Sequence, residues 1–176
     1  MANLKVLQEE LLTKLEMLEQ GVMNDKTLAE IRMINRRLYE ISIALTCKVI
    51  KTEELDIYHE VVNDTEDVFW MSLSNQGLPF IGYVKVYYKD TRHGNIVYEV
   101  KYEYQNNGYA LKTLNAIWPI ILERGLQRPI FRVVKSNIAS IKTILNFGGV
   151  PMPFDSEDEI CYLVDLKEKK ALKRGL

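Results

Sequence analysis

The spacing of apolar residues changes near residue 50, and this change limits the folds that the chain can adopt. Up to residue 46 the apolar residues recur every three or four positions, as on one face of a helix. Residues 57–62, 67–74, 80–88 and 95–104 instead follow a period of two and are rich in β-branched and aromatic side chains. Four successive strands joined mostly by short loops predict an antiparallel meander.

Residues 1–46 are expected to form a helical hairpin. The apolar stripe of its first helix consists of leucines: Leu4, Leu7, Leu11, Leu15 and Leu18. Gly21 ends that helix, because glycine readily takes the left-handed conformation found beyond helix ends. Thr27 and Glu30 match a capping box and predict the start of a second helix. Its apolar face consists of Ile31, Ile34, Leu38, Ile41 and Leu45.

The second half of the chain alternates between the two periods. It predicts a helix over 109–124, kinked at Pro119, a strand over 129–135, a helix over 138–147 and a strand over 159–166. We therefore expect one α/β domain over residues 1–176 with a mixed sheet. Its parts are the hairpin (1–46), the sheet with its helices (57–166) and a tail (167–176).

Charge and composition exclude several classes of function. The 176 residues include 23 basic and 24 acidic ones, and this balance argues against nucleic acid as the main partner. Charges near the N-terminus interrupt any signal peptide, and the longest apolar run, Ile117–Leu122, is far shorter than the ~20 residues of a membrane span. Cys47 and Cys161 are expected to be buried, reduced thiols. We expect a cytoplasmic protein without a membrane partner. No cluster of His and Cys has metal-ligand spacing, so no metal is expected.

The segment from Tyr104 to Ala110 joins the long strand to the next helix. Its polar residues and Gly108 leave consecutive backbone amides free at the positive end of a helix, which suits phosphate. Asn107-Gly108 also fits a tight hairpin turn. The helical period after Ala110 favours a strand-to-helix turn, and leaves open whether this turn binds an anion or only connects the elements.

Asn137 precedes the second helix of this half, where its side chain is expected to cap the helix. The same helix carries Ser140 and ends at Gly148-Gly149. Taken in order, a strand, Gln105-x-x-Gly108-x-Ala110 opening a helix, another strand and Asn137-Ile138-Ala139-Ser140 opening a second helix resemble the GNAT superfamily of acetyl-CoA-dependent N-acetyltransferases. The resemblance covers roughly residues 67–166 and looks closest to the branch of the ribosomal-protein alanine acetyltransferases.

The resemblance implies a GNAT-like fold that binds acetyl-CoA as cosubstrate. The strand 98–102 would separate from strand 130–135 and admit the pantetheine arm, which pairs with the backbone at Tyr98–Val100. The Val100 amide would stabilise an oxyanion, and Asn137 would reach the pantetheine side. The cofactor-binding positions implied in this way are Tyr98, Glu99, Val100, Gln105, Asn106, Asn107, Gly108, Tyr109, Ala110, Asn137 and Ser140.

Two positions depart from the pattern of the family. Many relatives have arginine or lysine where Asn107 stands, so phosphate binding lacks that charge here. Many relatives also have a tyrosine seven residues after the asparagine, as the acid for the leaving thiolate, and Ile144 stands there instead. The acid is therefore missing, supplied by another residue, or unnecessary because the thiolate is a tolerable leaving group.

Several residues are candidates for the base that deprotonates an amine. Glu99 is the first choice because it lies beside the expected thioester, and Glu103 is the second. Each of the two is otherwise a solvated carboxylate or the partner of a nearby lysine. His93 fits a turn residue better than a base, and His59 is uninformative.

Two further groups of residues allow two interpretations each. The strand face with Tyr98, Tyr102 and Tyr104 either lines a tunnel or belongs to an aromatic core. The acidic cluster of Asp155, Glu157, Asp158 and Glu159 suits a cationic acceptor or is a solvated loop.

We expect acetyl transfer to a primary amine by direct attack in a ternary complex, with Glu99 and Val100 as the catalytic residues. The acceptor would be a small molecule or a peptide, and a homodimer is left open. The rival hypothesis is an acyl-CoA-binding or protein-interaction module that kept the fold and lost turnover.

Overall fold

The computed structural model describes residues 2–89 and 94–169. In chain order the elements are α1 (Ala2–Glu19), α2 (Asp25–Thr46), β1 (Lys48–Lys51), β2 (Leu55–Asn63), β3 (Glu66–Leu73), β4 (Gly82–Tyr87), β5 (Ile96–Val100), a 3-10 helix (Tyr102–Tyr104), α3 (Tyr109–Glu123), β6 (Ile130–Val134), α4 (Ile138–Phe147), β7 (Val150–Met152) and β8 (Glu159–Leu163). The predicted α/β class and the N-terminal hairpin are confirmed.

The strands form two antiparallel sheets. The first is the expected meander in the order β1-β2-β3-β4-β5, and the second has the order β6-β8-β7. A bridge between Gly94 and Phe131 joins them, and the Asn95 N–H donates to the Ile130 carbonyl at 2.8 Å. Beyond this junction β5 and β6 form no ladder within the described residues, so the sheet is open between them.

The two faces of the meander are covered differently. One face carries the main core, to which β6, α3 and α4 contribute; among its fully buried side chains are Phe69, Met71, Leu114, Ile117, Phe131 and Phe147. The other face packs against α2 through a smaller cluster of Ile43, Tyr58 and Phe80. Since side chains alternate along a strand, each residue of β5 belongs to one of these two environments.

The hairpin begins its second helix earlier than expected. Asn24, in extended conformation, is the N-cap of α2, and its side chain accepts from the Thr27 N–H at 3.0 Å. The Thr27 hydroxyl donates to the Val22 carbonyl instead, and Glu30 pairs with Lys14. The predicted capping box of Thr27 and Glu30 is therefore wrong, because an asparagine three residues earlier performs the capping. The five leucines of α1 are half-buried, as the stripe predicts.

The predicted strand over 95–104 is too long. Regular pairing ends at Val100, and residues 102–104 form a 3-10 helix. Tyr102 is consequently 87% exposed and does not share a face with Tyr98. The prediction also missed β1 and β7, which have four and three residues, the second with a proline at its centre.

Within the described ranges, no helix combines the length and apolar character that crossing a membrane requires. Cys47 and Cys161 form no disulfide with each other. Cys161 is buried as expected, whereas Cys47 is only half-buried, so that part of the prediction is wrong.

Candidate functional site

A cavity of about 460 Å³ lies where β5 separates from β6. The end of β5, the turn before α3, the first residues of α3 and one side of α4 surround it. Its lining residues are Tyr98, Glu99, Val100, Tyr104, Gln105, Asn106, Gly108, Tyr109, Ala110, Asn137, Ala139, Ser140, Lys142 and Thr143.

Two backbone amides of β5 point into the opening between β5 and β6. In the β4–β5 ladder the Lys101 N–H donates to the Ile81 carbonyl and the Tyr87 N–H to the Asn95 carbonyl, so the hydrogen-bonded pairs involve odd-numbered residues. Antiparallel ladders alternate, and the amides of Tyr98 and Val100 therefore point away from β4 towards the opening. This edge can accept an extended, amide-containing chain as an added strand.

The turn before α3 forms a cradle of backbone amides. Asn106 and Gly108 have positive φ angles of 64° and 72°, which bend the chain sharply into the helix. Among the described residues, none accepts a hydrogen bond from the N–H groups of residues 106–110. These amides sit at the N-terminus of α3, where the helix dipole favours negative charge. The arrangement fits a phosphate group.

Side chains of the turn hold this cradle in shape. The Gln105 Nε2 donates to the Val100 carbonyl at 2.9 Å and ends β5 there. The Asn107 amide group donates to the carbonyls of Tyr104 and Gln105 at 3.1 and 3.0 Å. The Asn107 side chain therefore folds back onto its own turn and does not line the cavity. The Asn107 N–H is one of the amides of the cradle.

Lysines supply positive charge near the cradle. Lys142 on α4 lines the cavity, is exposed, and has no ion-pair partner within the described residues. Lys112 on α3 is held by Glu54, with 2.6 Å between Nζ and the carboxylate oxygens. Of the described lysines and arginines, Lys142 is the one that lines the cavity, and it remains available to an anion there.

The α4 side of the cavity is built by Asn137, Tyr98 and Ser140. The Asn137 side chain accepts from the Ser140 N–H at 3.1 Å and caps α4 as predicted. The Tyr98 hydroxyl donates to the Ser140 carbonyl at 3.1 Å, which joins β5 to α4 across the opening. Burial raises the pKa of Tyr98, so its phenol stays protonated at neutral pH. Ile144 is 2% exposed in the core and offers no acid.

Glu99 lies between this cavity and a second one. The second cavity, of about 220 Å³, lies on the α2 face of the sheet. The Tyr83 hydroxyl on β4 donates to the Glu99 Oε2 at 3.1 Å. Burial is the main cause that raises the pKa of Tyr83, and the hydrogen bond to Glu99 is the second. The residues around the second cavity are Arg36, Tyr39, Glu40, Trp70, Phe80, Gly82, Tyr83, Glu99 and Lys101.

The structure therefore brings ten of the eleven predicted cofactor-binding residues to one cavity; the eleventh, Asn107, contributes backbone next to it. Their binding roles stay predictions. Four lining residues were not among them, namely Tyr104, Ala139, Lys142 and Thr143. The helical spacing of three between Ser140 and Thr143 could have indicated the last of these.

The other candidates lie elsewhere. Glu103 is exposed on the 3-10 helix, and the acidic cluster of residues 155–159 lines neither cavity. His59 contacts the buried Asp67, with 3.0 Å between Nε2 and Oδ2. His93 lies outside the described residues. Within residues 2–89 and 94–169, no three His, Cys, Asp or Glu side chains are placed to hold a metal ion.

Comparisons with known proteins identify the fold. No family model and no curated protein matches the sequence. Among solved structures, an acetyltransferase from Agrobacterium tumefaciens superposes with a TM-score of 0.53 at 12% identity, over 67% of this chain and 94% of that one. A GNAT-family acetyltransferase from Bacillus anthracis gives 0.53 at 17% identity, over 68% and 99%. The ribosomal L7/L12 alpha-N-protein acetyltransferase RimL gives 0.54 at 11% identity, over 68% and 98%.

Identities this low show a shared fold and do not transfer a substrate. The shared fold agrees with the separated strands β5 and β6 and with the amide cradle at α3. The protein has the fold of the GNAT acetyltransferases.

Proposed function

We propose that the protein transfers an acetyl group from acetyl-CoA to a primary amine. One observation carries this proposal: a single cavity combines an amide cradle suited to phosphate with a strand edge suited to an amide-containing arm, and Glu99 is among the residues that line it. The fold shared with GNAT acetyltransferases supports the same reaction.

The cosubstrate would occupy the cavity along its length. Its pyrophosphate would bind the amides of residues 106–110, with Lys142 replacing the charge that Asn107 lacks. Its pantetheine arm would pair with the open edge at Tyr98, which leaves the Val100 N–H for the thioester oxygen. This placement brings the thioester to the end of β5, next to Glu99.

The reaction needs no covalent enzyme intermediate. A neutral amine nitrogen attacks the thioester carbonyl carbon, and the Val100 N–H donates to the oxygen that becomes negative. The carbon–sulfur bond then breaks as the amide forms, and the coenzyme A thiolate leaves and takes a proton from water. From the ammonium ion to the amide, the nitrogen would lose two protons: one before attack, taken by Glu99 directly or through water, and one as the amide forms. Both pass to solvent, and one of them offsets the proton that the thiolate takes up.

Glu99 would act as the base and Tyr83 as its positioning residue. An alkylammonium ion has a pKa near 10.4 and must lose a proton before it can attack. The hydrogen bond from Tyr83 engages Glu99 Oε2 and leaves Oε1 available to the amine. The second cavity, on the far side of Glu99, is where the amine would enter. We propose a cytoplasmic setting for the reaction.

The test combines binding with turnover. Acetyl-CoA is titrated into the protein by calorimetry, and acetylated product is then measured by mass spectrometry on a panel of small amines and short peptides. Binding together with product supports the proposal. Binding without product on any amine would favour the binding module, and absence of binding would remove both hypotheses.

A further inference from the structure

The second cavity has aromatic walls. Trp70 lines it and stacks on Phe80, with 5.5 Å between ring centroids and 23° between ring planes. Tyr83 lies 5.7 Å from Trp70 at a tilted angle, and Tyr39 meets it edge-on at 5.9 Å. All four rings line the cavity. Flat, apolar ligands pack well against such surfaces, and an ammonium ion is attracted to their faces.

Glu60 fixes two of these rings from outside the cavity. Its carboxylate accepts from the Tyr39 hydroxyl at 2.8 and 2.9 Å and from the Trp70 Nε1 at 2.8 Å. The polar groups of both rings are thereby satisfied by the protein. What the rings offer to a ligand is their apolar surface.

The two carboxylates that line the second cavity, Glu40 and Glu99, differ in the partners that they already have within the protein. Glu40 is buried and pairs with Arg37 at 3.0 Å and with Arg36 at 3.7 Å. The Glu99 carboxylate accepts only from the Tyr83 hydroxyl among the described residues. An ammonium group would therefore bind at Glu99, at the end of the cavity that meets the cofactor cavity.

The cations of the cavity limit the charge of a ligand. Lys101 and Arg36 both line it, and Lys101 has no ion-pair partner within the described residues. Two positive side chains disfavour a ligand with several ammonium groups. The volume of about 220 Å³ lies below the roughly 300–1,000 Å³ of sites for drug-sized ligands.

We propose that the acceptor is a small arylalkylamine, which carries one primary ammonium group on a short chain attached to an aromatic ring. This inference rests on the proposed function for its chemistry and on the second cavity for its specificity. The ring lies against Trp70, Phe80 and Tyr83, and the amine lies at Glu99 facing the thioester.

The binding experiment uses the full chain without acetyl-CoA. Phenylethylamine is titrated by calorimetry into the wild type, Tyr83→Leu and Tyr87→Leu. Tyr87 is the matched control because it is half-buried on the same strand and face as Tyr83 and lines neither cavity. We expect affinity to fall roughly tenfold in Tyr83→Leu only. Tyr83→Phe keeps the ring and should retain most of the affinity. Equal affinities of Tyr83→Leu and Tyr87→Leu would overturn the proposal.

The turnover experiment compares phenylethylamine with spermidine and ethanolamine in the wild type. We expect kcat/KM to be highest for phenylethylamine. Acetylation of spermidine or ethanolamine in preference to phenylethylamine would overturn the inference about the acceptor and leave acetyl transfer intact. If acetyl-CoA itself does not bind, the proposed function fails, and the titration of phenylethylamine still tests the cavity by itself.

Discussion

Tyr83 and Glu99 lie opposite each other on β4 and β5, and the Tyr83 hydroxyl donates to the Glu99 carboxylate at 3.1 Å. This pair stands on the α2 face of the sheet, whereas the neighbouring Tyr98 faces α4. Glu99 is the residue common to the linings of both cavities. Under the proposed function, the group that removes a proton from the amine would have to reach both the acceptor and the thioester, and a residue shared by the two linings is placed to do so.

Replacing Glu99 with glutamine should lower turnover without weakening cofactor binding. The amide cannot take the proton of the amine, and general-base catalysis contributes about 100-fold or more. We expect kcat to fall by about that factor while the calorimetric affinity for acetyl-CoA is retained. Glu103→Gln is the matched control, since Glu103 lines neither cavity. Equal turnover of the two variants would exclude Glu99 as the base.

Replacing Gly108 with glutamate should abolish acetyl-CoA binding. The new carboxylate would lie at the amide cradle and repel the phosphates. Gly108 also has a φ of 72°, so the substitution adds backbone strain. Gly125→Glu separates the two effects, because Gly125 has a φ of 95°, has open space around it and lies at the opposite end of α3. Calorimetry should show binding by the Gly125 variant alone; binding by both would place the phosphates elsewhere.

Lys142 should contribute to cofactor affinity through its charge. We expect Lys142→Gln to weaken acetyl-CoA binding about fivefold at low salt, with the difference shrinking as salt screens the exposed charge. Titrations at two salt concentrations measure this. Lys48→Gln serves as control, since Lys48 is exposed on β1 and lines neither cavity. A Lys142 variant that binds as the wild type does at low salt would contradict the assignment.

The order of elements could be predicted because most helices and strands have strong periodicity over five or more residues. β1 and β7 are too short to show a period, and Pro151 obscures the second further. β5 ends at Val100, where the Gln105 side chain binds the Val100 carbonyl. The alternating pattern of the sequence continues to residue 104 and does not show this contact. The hydrophobic pattern alone therefore could not predict where β5 ends, because a local side-chain contact determines it.

The sequence indicates the residues of the first cavity much better than those of the second. The residues of the first cavity fall in two short segments that carry recognisable motifs, at 98–110 and 137–143. The second cavity draws on α2, β3, β4 and β5, and its aromatic residues look like ordinary core positions in the sequence. Its walls became apparent only when the packing of α2 on the sheet was known.

Gly82 should be required for the close approach of β4 and β5. A Cβ atom at Gly82 would lie 2.3 Å from the Glu99 carbonyl oxygen and 3.0 Å from the Val100 Cα, and neither backbone atom can yield easily. We expect Gly82→Ala to lower the free energy of unfolding by about 1–3 kcal/mol and to reduce turnover by displacing Glu99. Denaturant titration and a turnover assay measure the two effects.

Gly77→Ala is the control for Gly82→Ala. Gly77 has a φ of 66° and nothing within 4 Å of its added Cβ, so this change introduces backbone strain without a clash. Gly77→Ala should lower the free energy of unfolding by about 1 kcal/mol and leave turnover unchanged. If Gly82→Ala were as active as Gly77→Ala, the spacing of the two strands would not govern Glu99.

Asp67 should make the stability of the protein depend on pH in the acid range. Its side chain is fully buried and contacts His59, Tyr88 and Arg124. Burial alone would raise the pKa of Asp67, but the adjacent His59, the hydrogen bond from Tyr88 and the charge of Arg124 outweigh it and lower this pKa. Because the folded-state pKa is depressed, the carboxylate stabilises the fold above its unfolded pKa of about 3.9, and this stabilisation is lost as pH falls through the folded value.

We therefore expect Asp67→Asn to lower the free energy of unfolding by about 3 kcal/mol at neutral pH, since it leaves Arg124 without its carboxylate partner. The difference from the wild type should shrink below about pH 4. Glu66→Gln is the matched control: Glu66 pairs with Lys85 at 3.0 Å near the surface, and its loss should cost less than about 1 kcal/mol. Denaturant titrations from pH 7 to pH 2 test this, and a difference that stays constant over that range would show that the ionised form of Asp67 does not stabilise the fold.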